Sequence, residues 1–123
     1  MTFARRVFQI AAIYGFLGIL PQFFTEAKAG RDFPPPVTHP EFYYGFLGVA
    51  LAWQVLFLIL AQDPVRYRPM MLPAILEKLA FGVAVIALYL ASRAPALLVG
   101  FGAIDLLFAG LFWAAWRKTG QSS

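Results

Sequence analysis

The sequence predicts an all-α protein, a four-transmembrane-helix antiparallel bundle with both termini in the cytoplasm. Hydrophobic residues make up 61% of the 123 residues and charged residues 13%, whereas a typical soluble domain is about 25% charged. The apolar residues form four continuous segments, each close to the ~20 residues that a helix needs to cross a bilayer. These segments cover roughly residues 6–24, 42–62, 71–92 and 95–116. Because they lack the short alternating segments of a membrane β-barrel, we expect a single transmembrane domain over residues 1–123.

The first span follows a pair of arginines, Arg5 and Arg6, in the stretch FARRVFQIAAIYGFLGIL. Paired arginines before an apolar run, with AKAG downstream as a small-residue cleavage site, also resemble an export signal. We favour a retained span that these arginines anchor at the inner surface. Pro21 removes one backbone donor and predicts a kink near the outer end. The segment QFFTEAKAG then either continues the helix or forms a short amphipathic turn on the outer surface, with Gly30 ending it.

The loop before the second span, RDFPPPVTHPE, contains three consecutive prolines. Prolines in series favour a stiff, extended chain. We interpret it as a spacer, and a rigid arm that docks on a partner is the alternative. Thr38 and Glu41 have the spacing of a capping box, with Thr38 as N-cap of the second helix. His39 and Glu41 are our outer-face candidates: Glu41 has a structural role in the capping box, and His39 could sense pH or bind a metal, although a single imidazole without a matched partner favours a structural role.

Two short connections predict which spans are neighbours. The stretch AQDPVRYRPMMLP separates spans two and three, and SRAP separates spans three and four. Connections this short predict that both pairs pack as antiparallel neighbours. Asp63 followed by Pro64 is typical of a helix start, and Pro69 and Pro73 suit the first turn of the third span.

The pentapeptide YGFLG occurs twice, at 14–18 and 44–48. The two copies would lie at different membrane depths, in spans that run in opposite directions, so we do not interpret them as a gene repeat. Small residues let helices approach closely in lipid. We therefore expect these glycines, together with Gly100, Gly102 and Gly110 of the fourth span, to lie at contacts between helices.

Five polar residues inside the spans form our candidate intramembrane polar cluster: Tyr14, Gln54, Glu77, Lys78 and Asp105. Ionisable residues are costly within a span and often functional. Glu77 and Lys78 are adjacent, so their side chains point about 100° apart and cannot form a good ion pair with each other. The pair is either an inner-leaflet feature, with Lys78 reaching the inner headgroups, or part of a polar site.

Asp105 is predicted near the centre of the bilayer, where a charged carboxylate facing lipid would cost at least ~2.5 kcal/mol. It should therefore face the bundle, either charged or protonated. Tyr14 and Gln54 lie at intermediate depth and are the best candidates to hydrogen-bond Asp105 or Glu77. Lys78 and Asp105 differ in depth and lean in opposite directions, so we do not predict a direct salt bridge between them.

Basic residues flank the spans unevenly, which sets the predicted orientation. Three flank the outer ends, Lys28, Arg31 and Arg93, and six flank the inner ends, Arg5, Arg6, Arg66, Arg68, Arg117 and Lys118. Basic residues are retained on the cytoplasmic side, so both termini should be cytoplasmic. We expect the six inner residues to face anionic lipid headgroups, and we expect a multi-pass location in a bacterial inner (cytoplasmic) membrane.

The chain has no cysteine, which excludes disulfides, thiolate metal sites and dithiol redox chemistry by its own side chains. It also shows no metal-binding motif, no phosphate loop and no nucleophile beside a base. We therefore expect no cofactor and no metal, assign no catalytic residue, and consider an enzyme the less favoured function. The net charge of +4 is accounted for by topology and lipid headgroups, so we do not expect nucleic acid as a partner.

Two stretches, HPEFYYGFLGVALAWQ at the start of the second span and DPVRYRP before the third, resemble the small uncharacterised bacterial inner-membrane proteins loosely grouped as DoxX-like. The resemblance covers the whole chain in architecture, implies the same four-helix fold and brings no catalytic residues. The chain is also similar in size to the small multidrug transporters. Those place an essential glutamate in the first span, where this chain has none.

Three functions fit these features. We favour an accessory or assembly subunit that packs against a larger inner-membrane complex, because the helices carry glycine faces and little exposed chemistry. The second function is a proton-linked small transporter, working as a homo-oligomer and using Glu77 and Asp105. The third is a binder of, or an enzyme for, a lipophilic molecule, with the polar cluster at the base of an intramembrane pocket.

Overall fold

A computed structural model describes residues 2–32 and 38–121. Its helices are α1 (Thr2–Ile19), α2 (Glu26–Asp32), α3 (Pro40–Gln62), α4 (Met71–Leu90) and α5 (Ala96–Gln121), with 3₁₀ turns at Leu20–Phe24 and Arg68–Met70. The described ranges contain no strand. Four helical segments are long and apolar enough to cross a membrane. The all-α four-helix fold is confirmed, and the chain has the architecture of a multi-pass membrane protein.

The regular part of α1 ends next to Pro21, where a kink was predicted. The helix tightens there into the 3₁₀ turn Leu20–Phe24, because proline has no N–H to donate and its ring clashes with the preceding turn. Gln22 donates from Nε2 to the carbonyl oxygen of Gly18 at 2.8 Å. This bond satisfies one of the carbonyls that the end of a helix leaves free.

A separate short helix, α2, follows this turn. Gly30, which we expected to end the segment, lies inside α2 and is buried, so that prediction was wrong. The helix continues to Asp32, whose carboxylate pairs with Lys28 one turn earlier. Side chains four residues apart are neighbours on a helix, so this ion pair stabilises the last turn of α2.

Helix α3 begins one residue later than the predicted capping box. His39, not Thr38, is the N-cap, and its side chain makes no capping hydrogen bond. Pro40 takes the first helical position, where a missing N–H is not needed and its fixed φ suits a helix. The Oε1 atom of Glu41 lies 3.0 Å from Nδ1 of His39 instead. The prolines at 34–36, which we interpreted as a spacer, lie outside the described residues.

The helices pack in the order α3, α1, α5, α4. Helix α1 contacts α3 on one side and α5 on the other, and α5 contacts α4. Close packing of spans three and four is therefore confirmed. Close packing of spans two and three was a wrong prediction, because α3 and α4 approach each other mainly through long side chains rather than closely packed backbones. Phe46 and Phe81 are such a pair, with ring centroids 6.3 Å apart.

The turns that connect α3 to α4 explain why these two helices do not pack closely together. Asp63 is the C-cap of α3 rather than the start of the third span, which corrects its predicted role. A turn follows, in which Arg66 donates its backbone N–H to Oδ1 of Asp63 at 3.3 Å, and then the 3₁₀ turn that contains Pro69. Pro73 lies in the first turn of α4, as predicted.

The turn between α4 and α5 has the two hydrogen bonds of a Schellman motif. The N–H of Arg93 donates to the carbonyl of Leu88 at 2.7 Å, and the N–H of Ser92 donates to the carbonyl of Tyr89 at 2.9 Å. Ser92 has a φ of 60°, in the left-handed region that disfavours residues with a Cβ. This turn reverses the chain and places α5 beside α4.

The glycines divide into two groups. A Cβ at Gly82 would lie 2.7 Å from Cγ of Leu106 and 2.9 Å from the carbonyl oxygen of Gly102, and a Cβ at Gly15 would overlap the amide of Gln54. A close helix contact is confirmed for Gly15 and for Gly102, where a Cβ would lie 3.4 Å from Cβ of Val85; Gly82 is a further contact that we did not predict. For the second group, a Cβ would meet nothing within 4 Å among the described residues, so no close helix contact is found for its members within this chain: Gly18, Gly45, Gly48, Gly100 and Gly110.

Three fully buried phenylalanine rings form the centre of the core, where α1, α3 and α5 meet. Phe8 stacks on Phe112 with ring centroids 4.2 Å apart, and Phe57 meets Phe112 edge to face at 5.2 Å. Such pairs add to the stabilisation that their buried area already gives. This aromatic core adjoins the polar residues of α4 and α5 described next.

Candidate functional site: an ionic cluster inside the bundle

Lys78 is a charged side chain buried inside the bundle, with only 3% of the residue exposed. It lies on the packing face of α4, whose members recur every three or four residues: Met71, Ala74, Lys78, Gly82 and Val85. This is the spacing of one helix face, so the apolar neighbours carry the lysine into the bundle. The alternative in which Lys78 reaches the inner headgroups was therefore wrong.

The ammonium group of Lys78 lies between two carboxylates. Its Nζ atom is 3.6 Å from Oδ1 of Asp105 on α5 and 3.8 Å from Oε2 of Glu77. The first contact is an ion pair between helices, slightly longer than a direct hydrogen bond. Our prediction that Lys78 and Asp105 do not pair was wrong, because the long lysine side chain on α4 reaches across the interface to Asp105 on α5.

Two aromatic rings complete the surroundings of the ammonium group. The Nζ atom of Lys78 lies 5.4 Å from the ring centroid of Phe57 on α3 and 5.5 Å from that of Phe108 on α5. Both distances are within the range of a cation–π interaction, which is strongest where water is excluded. Residues of α3, α4 and α5 thus meet at one buried cation, and we call Glu77, Lys78 and Asp105 the ionic cluster.

Gln54 and Tyr14 do not hydrogen-bond the carboxylates in the way that we predicted. The Nε2 atom of Gln54 donates to the carbonyl oxygen of Ala50 at 2.8 Å, one turn earlier on α3. Its Oε1 atom is buried without a hydrogen-bond partner and packs against Gly15 of α1. Tyr14 is half-buried, packs its ring against Phe108, and lies within electrostatic reach of Asp105.

The two carboxyl side chains differ in their polar contacts. The side chain of Glu77 is 18% exposed and that of Asp105 is 13% exposed, so both are mostly covered. The Oε2 atom of Glu77 is buried and has no hydrogen-bond partner. A buried acceptor without a partner is unusual and costly, which makes Glu77 the side chain of this cluster with unused binding capacity.

Two of the six basic residues that we predict at the inner ends of the spans bind backbone carbonyls. Arg5 donates from Nε to the carbonyl oxygen of Ala61 at 3.1 Å, in the last turn of α3. Arg68 donates from Nε to the carbonyl oxygen of Trp116 at 2.8 Å, and its guanidinium lies over the indole ring. Positive charge is favourable near helix C-termini. Arg5 and Arg68 therefore join helices through these hydrogen bonds, and their lipid-facing role stays a prediction.

The other four basic residues at this end include three that lie over aromatic rings. Arg66 lies over Tyr67, Arg117 over Trp113 and Lys118 over Phe3. Arg6 is exposed on α1. Aromatic rings are enriched at membrane interfaces, and the flanking role of these four residues stays a prediction.

The outer-face candidates are both on the surface. His39 and Glu41 contact each other, and each side chain is about two-thirds exposed. In the part of the chain that the structure describes, no three His, Asp or Glu side chains come together as a metal site. Both residues therefore stay candidates from the sequence alone.

No family model, curated protein or solved structure matches this chain. The resemblance to the DoxX-like proteins therefore stays a prediction from the sequence. The ionic cluster and the exposed glycines of α3 and α5 are features of the fold from which a function can be argued.

Proposed function

We propose that this protein is an accessory or assembly subunit of a larger complex in the bacterial inner membrane, with both termini cytoplasmic, and that it packs against its partner through α5. One observation carries the proposal. The face of α5 that points away from the bundle is lined mainly by small residues, and within the described ranges a Cβ at Gly100 or Gly110 would meet nothing within 4 Å.

This face is continuous along α5. Five small residues and one leucine recur there every three or four residues, and all except the half-buried last one are exposed: Ala96, Gly100, Ala103, Leu107, Gly110 and Ala114. We call this set the α5 small-residue stripe. At ~1.5 Å per residue it runs for ~27 Å, nearly the thickness of the hydrocarbon core. The stripe therefore spans the depth over which a second transmembrane helix would lie.

Small residues have a specific value in lipid. Helix association in membranes depends on close van der Waals packing, and glycine and alanine let two backbones approach. A glycine that faces lipid makes no such close backbone contact. It also has a lower helix propensity than alanine. The bundle itself packs through the opposite face of α5, where Phe108 and Phe112 are buried. We therefore infer that the stripe packs against a helix of a partner protein.

A second outward face on α3 supports an extended contact. Gly45, Gly48 and Ala52 are exposed and point away from the buried Gln54. Ala52 lines an open apolar hollow together with Val49, Trp53 and Leu56. A large side chain from a neighbouring helix would fit this hollow, so α3 provides a candidate second contact region.

Site-specific photo-crosslinking in the native membrane tests the proposal. A photoreactive residue is placed at Ala103, in the stripe, or at Leu17, which is 73% exposed on α1 and lies at a similar distance from the outer helix ends. We expect the Ala103 probe to crosslink to one larger membrane protein, and the Leu17 probe to label lipid. The same crosslinking pattern from both positions would contradict a partner surface on α5.

A second candidate function is the proton-linked small transporter, and the ionic cluster favours it. Buried ionisable residues within spans often mark proton relays or ion pathways. In this case the Ala103 probe should crosslink one copy of the protein to another, and purified protein in vesicles should show flux that depends on pH. A heterologous partner without flux would leave the subunit function as the better proposal.

A further inference from the structure

The ionic cluster has an imbalance of charge. One ammonium group, on Lys78, faces two carboxyl groups, on Glu77 and Asp105. With all three groups ionised, the cluster would carry one net negative charge. Uncompensated charge at membrane depth costs at least ~2.5 kcal/mol, so a bound species must neutralise the second carboxylate.

The groups that face the cluster from the other helices do not provide this compensation. Helix α3 contributes the ring of Phe57, and α5 contributes Phe108 beside Asp105. Helix α1 contributes Tyr14, whose hydroxyl is neutral or negative and adds no positive charge. The six basic residues at the inner end are engaged with backbone carbonyls and aromatic rings or lie on the surface.

We propose that the ionic cluster is a binding site for one exchangeable proton, shared by the carboxyl groups of Glu77 and Asp105. A proton fits where a larger cation does not, because the ammonium of Lys78 already lies within 3.8 Å of both carboxylates and would repel a metal ion. The buried Oε2 atom of Glu77, which lacks a hydrogen-bond partner, is the oxygen available to take up the proton.

The uptake step is a simple acid–base reaction. A proton from water adds to a carboxylate oxygen and forms a new O–H bond, while the ammonium of Lys78 keeps its own protons and pairs with the remaining carboxylate. The net charge of the cluster changes from minus one to zero. Release is the reverse step and leaves every other bond unchanged.

Infrared spectroscopy of the protein in lipid nanodiscs counts this proton, because a protonated carboxyl gives a C=O band that shifts in heavy water. Charge neutrality predicts one protonated carboxyl per chain in the wild type at neutral pH, and its band should disappear as the pH is raised. Glu77→Gln and Asp105→Asn should each lose the band, because one carboxylate then pairs with Lys78. Lys78→Met should double the band, because both carboxyls must then be neutral.

The matched control is Asp63→Asn, which removes a carboxyl of the exposed α3–α4 connection and should leave the band unchanged. A wild-type protein without the band, or a band that persists at full intensity in Glu77→Gln, would overturn the proposal. Circular dichroism identifies any variant that fails to fold. If Asp105→Asn does not fold, the opposite changes expected for Glu77→Gln and Lys78→Met still decide the question.

This inference concerns only the occupancy of the cluster and does not rest on the partner surface of α5. It deepens the transporter candidate, for which a proton site is required, but it is equally compatible with a subunit that holds its proton. A positive infrared result together with absent flux would support the site and reject transport. Crosslinking at Ala103 would be unaffected by either outcome.

Discussion

The two faces of α5 differ in side-chain size and in what they contact. The inward face carries Phe108 and Phe112, both buried, and Asp105, which pairs with Lys78. The outward face carries the exposed small-residue stripe. The inward face of α5 holds the bundle together, and the outward face is available for contact with another protein. Stability and assembly should therefore respond to different substitutions on the same helix.

The largest difference between the faces is expected for loss of a side chain. Phe112→Ala should destabilise the bundle by about 3–5 kcal/mol, because it opens a cavity against Phe8 and Phe57. Leu107→Ala, on the stripe and 62% exposed, should change the free energy of unfolding by less than about 0.5 kcal/mol. Equilibrium unfolding of the isolated protein in mixed micelles measures both. Similar losses from the two substitutions would show that the stripe is also part of the core.

A smaller difference is expected when a methyl group is added to a glycine. At Gly82 the new Cβ would lie under 3 Å from Leu106 and from the backbone of Gly102, so Gly82→Ala should destabilise by about 1–3 kcal/mol. At Gly100 the Cβ would meet open space, and Gly100→Ala should stabilise by about 0.5–1 kcal/mol through helix propensity. The sign of the change, from the same unfolding assay, separates packed from open glycines. Stabilisation by Gly82→Ala together with destabilisation by Gly100→Ala would contradict the packing of α4 on α5.

The smallest effect is expected at the turn that joins α4 to the inward face of α5. Ser92→Gly should stabilise by up to about 1 kcal/mol, because glycine adopts the left-handed conformation without the steric cost of a Cβ. Ser92→Val should destabilise, since a β-branched residue fits that conformation poorly. A thermal unfolding series of the two variants and the wild type measures the order. A wild type more stable than Ser92→Gly would indicate that the serine side chain has an additional role.

The four spans could be predicted from the sequence because the length of an apolar run is a local property that the bilayer thickness converts directly into a helix. The partner of each span is not a local property. The short connection after α3 predicts that α3 packs on α4. Instead, the turns after Asp63 place α4 beside α5. Helix order depends on which faces fit, and those contacts involve residues far apart in the chain.

The ionic cluster was found in part. The sequence identifies three ionisable residues that are costly within a membrane span, Glu77, Lys78 and Asp105. Their depth along each helix, however, argues against a pair between Lys78 and Asp105. A flexible lysine side chain spans that difference in depth. The recurrence of Met71, Ala74, Gly82 and Val85 around Lys78 was a signal in the sequence that the lysine lies on the packing face. The partnerless Oε1 of Gln54 could not be foreseen, because it depends on how α3 meets Gly15.

The most direct test of the partner surface is native mass spectrometry of the protein extracted gently from its own membranes, with the wild type compared with a Gly100→Ile and Gly110→Ile double variant. Both substitutions enlarge the stripe at positions where a Cβ meets open space, so the isolated bundle should remain folded. We predict a fixed stoichiometry with larger subunits for the wild type and free bundle for the variant. An unchanged complex in the folded variant would contradict the assignment of α5 as the partner surface.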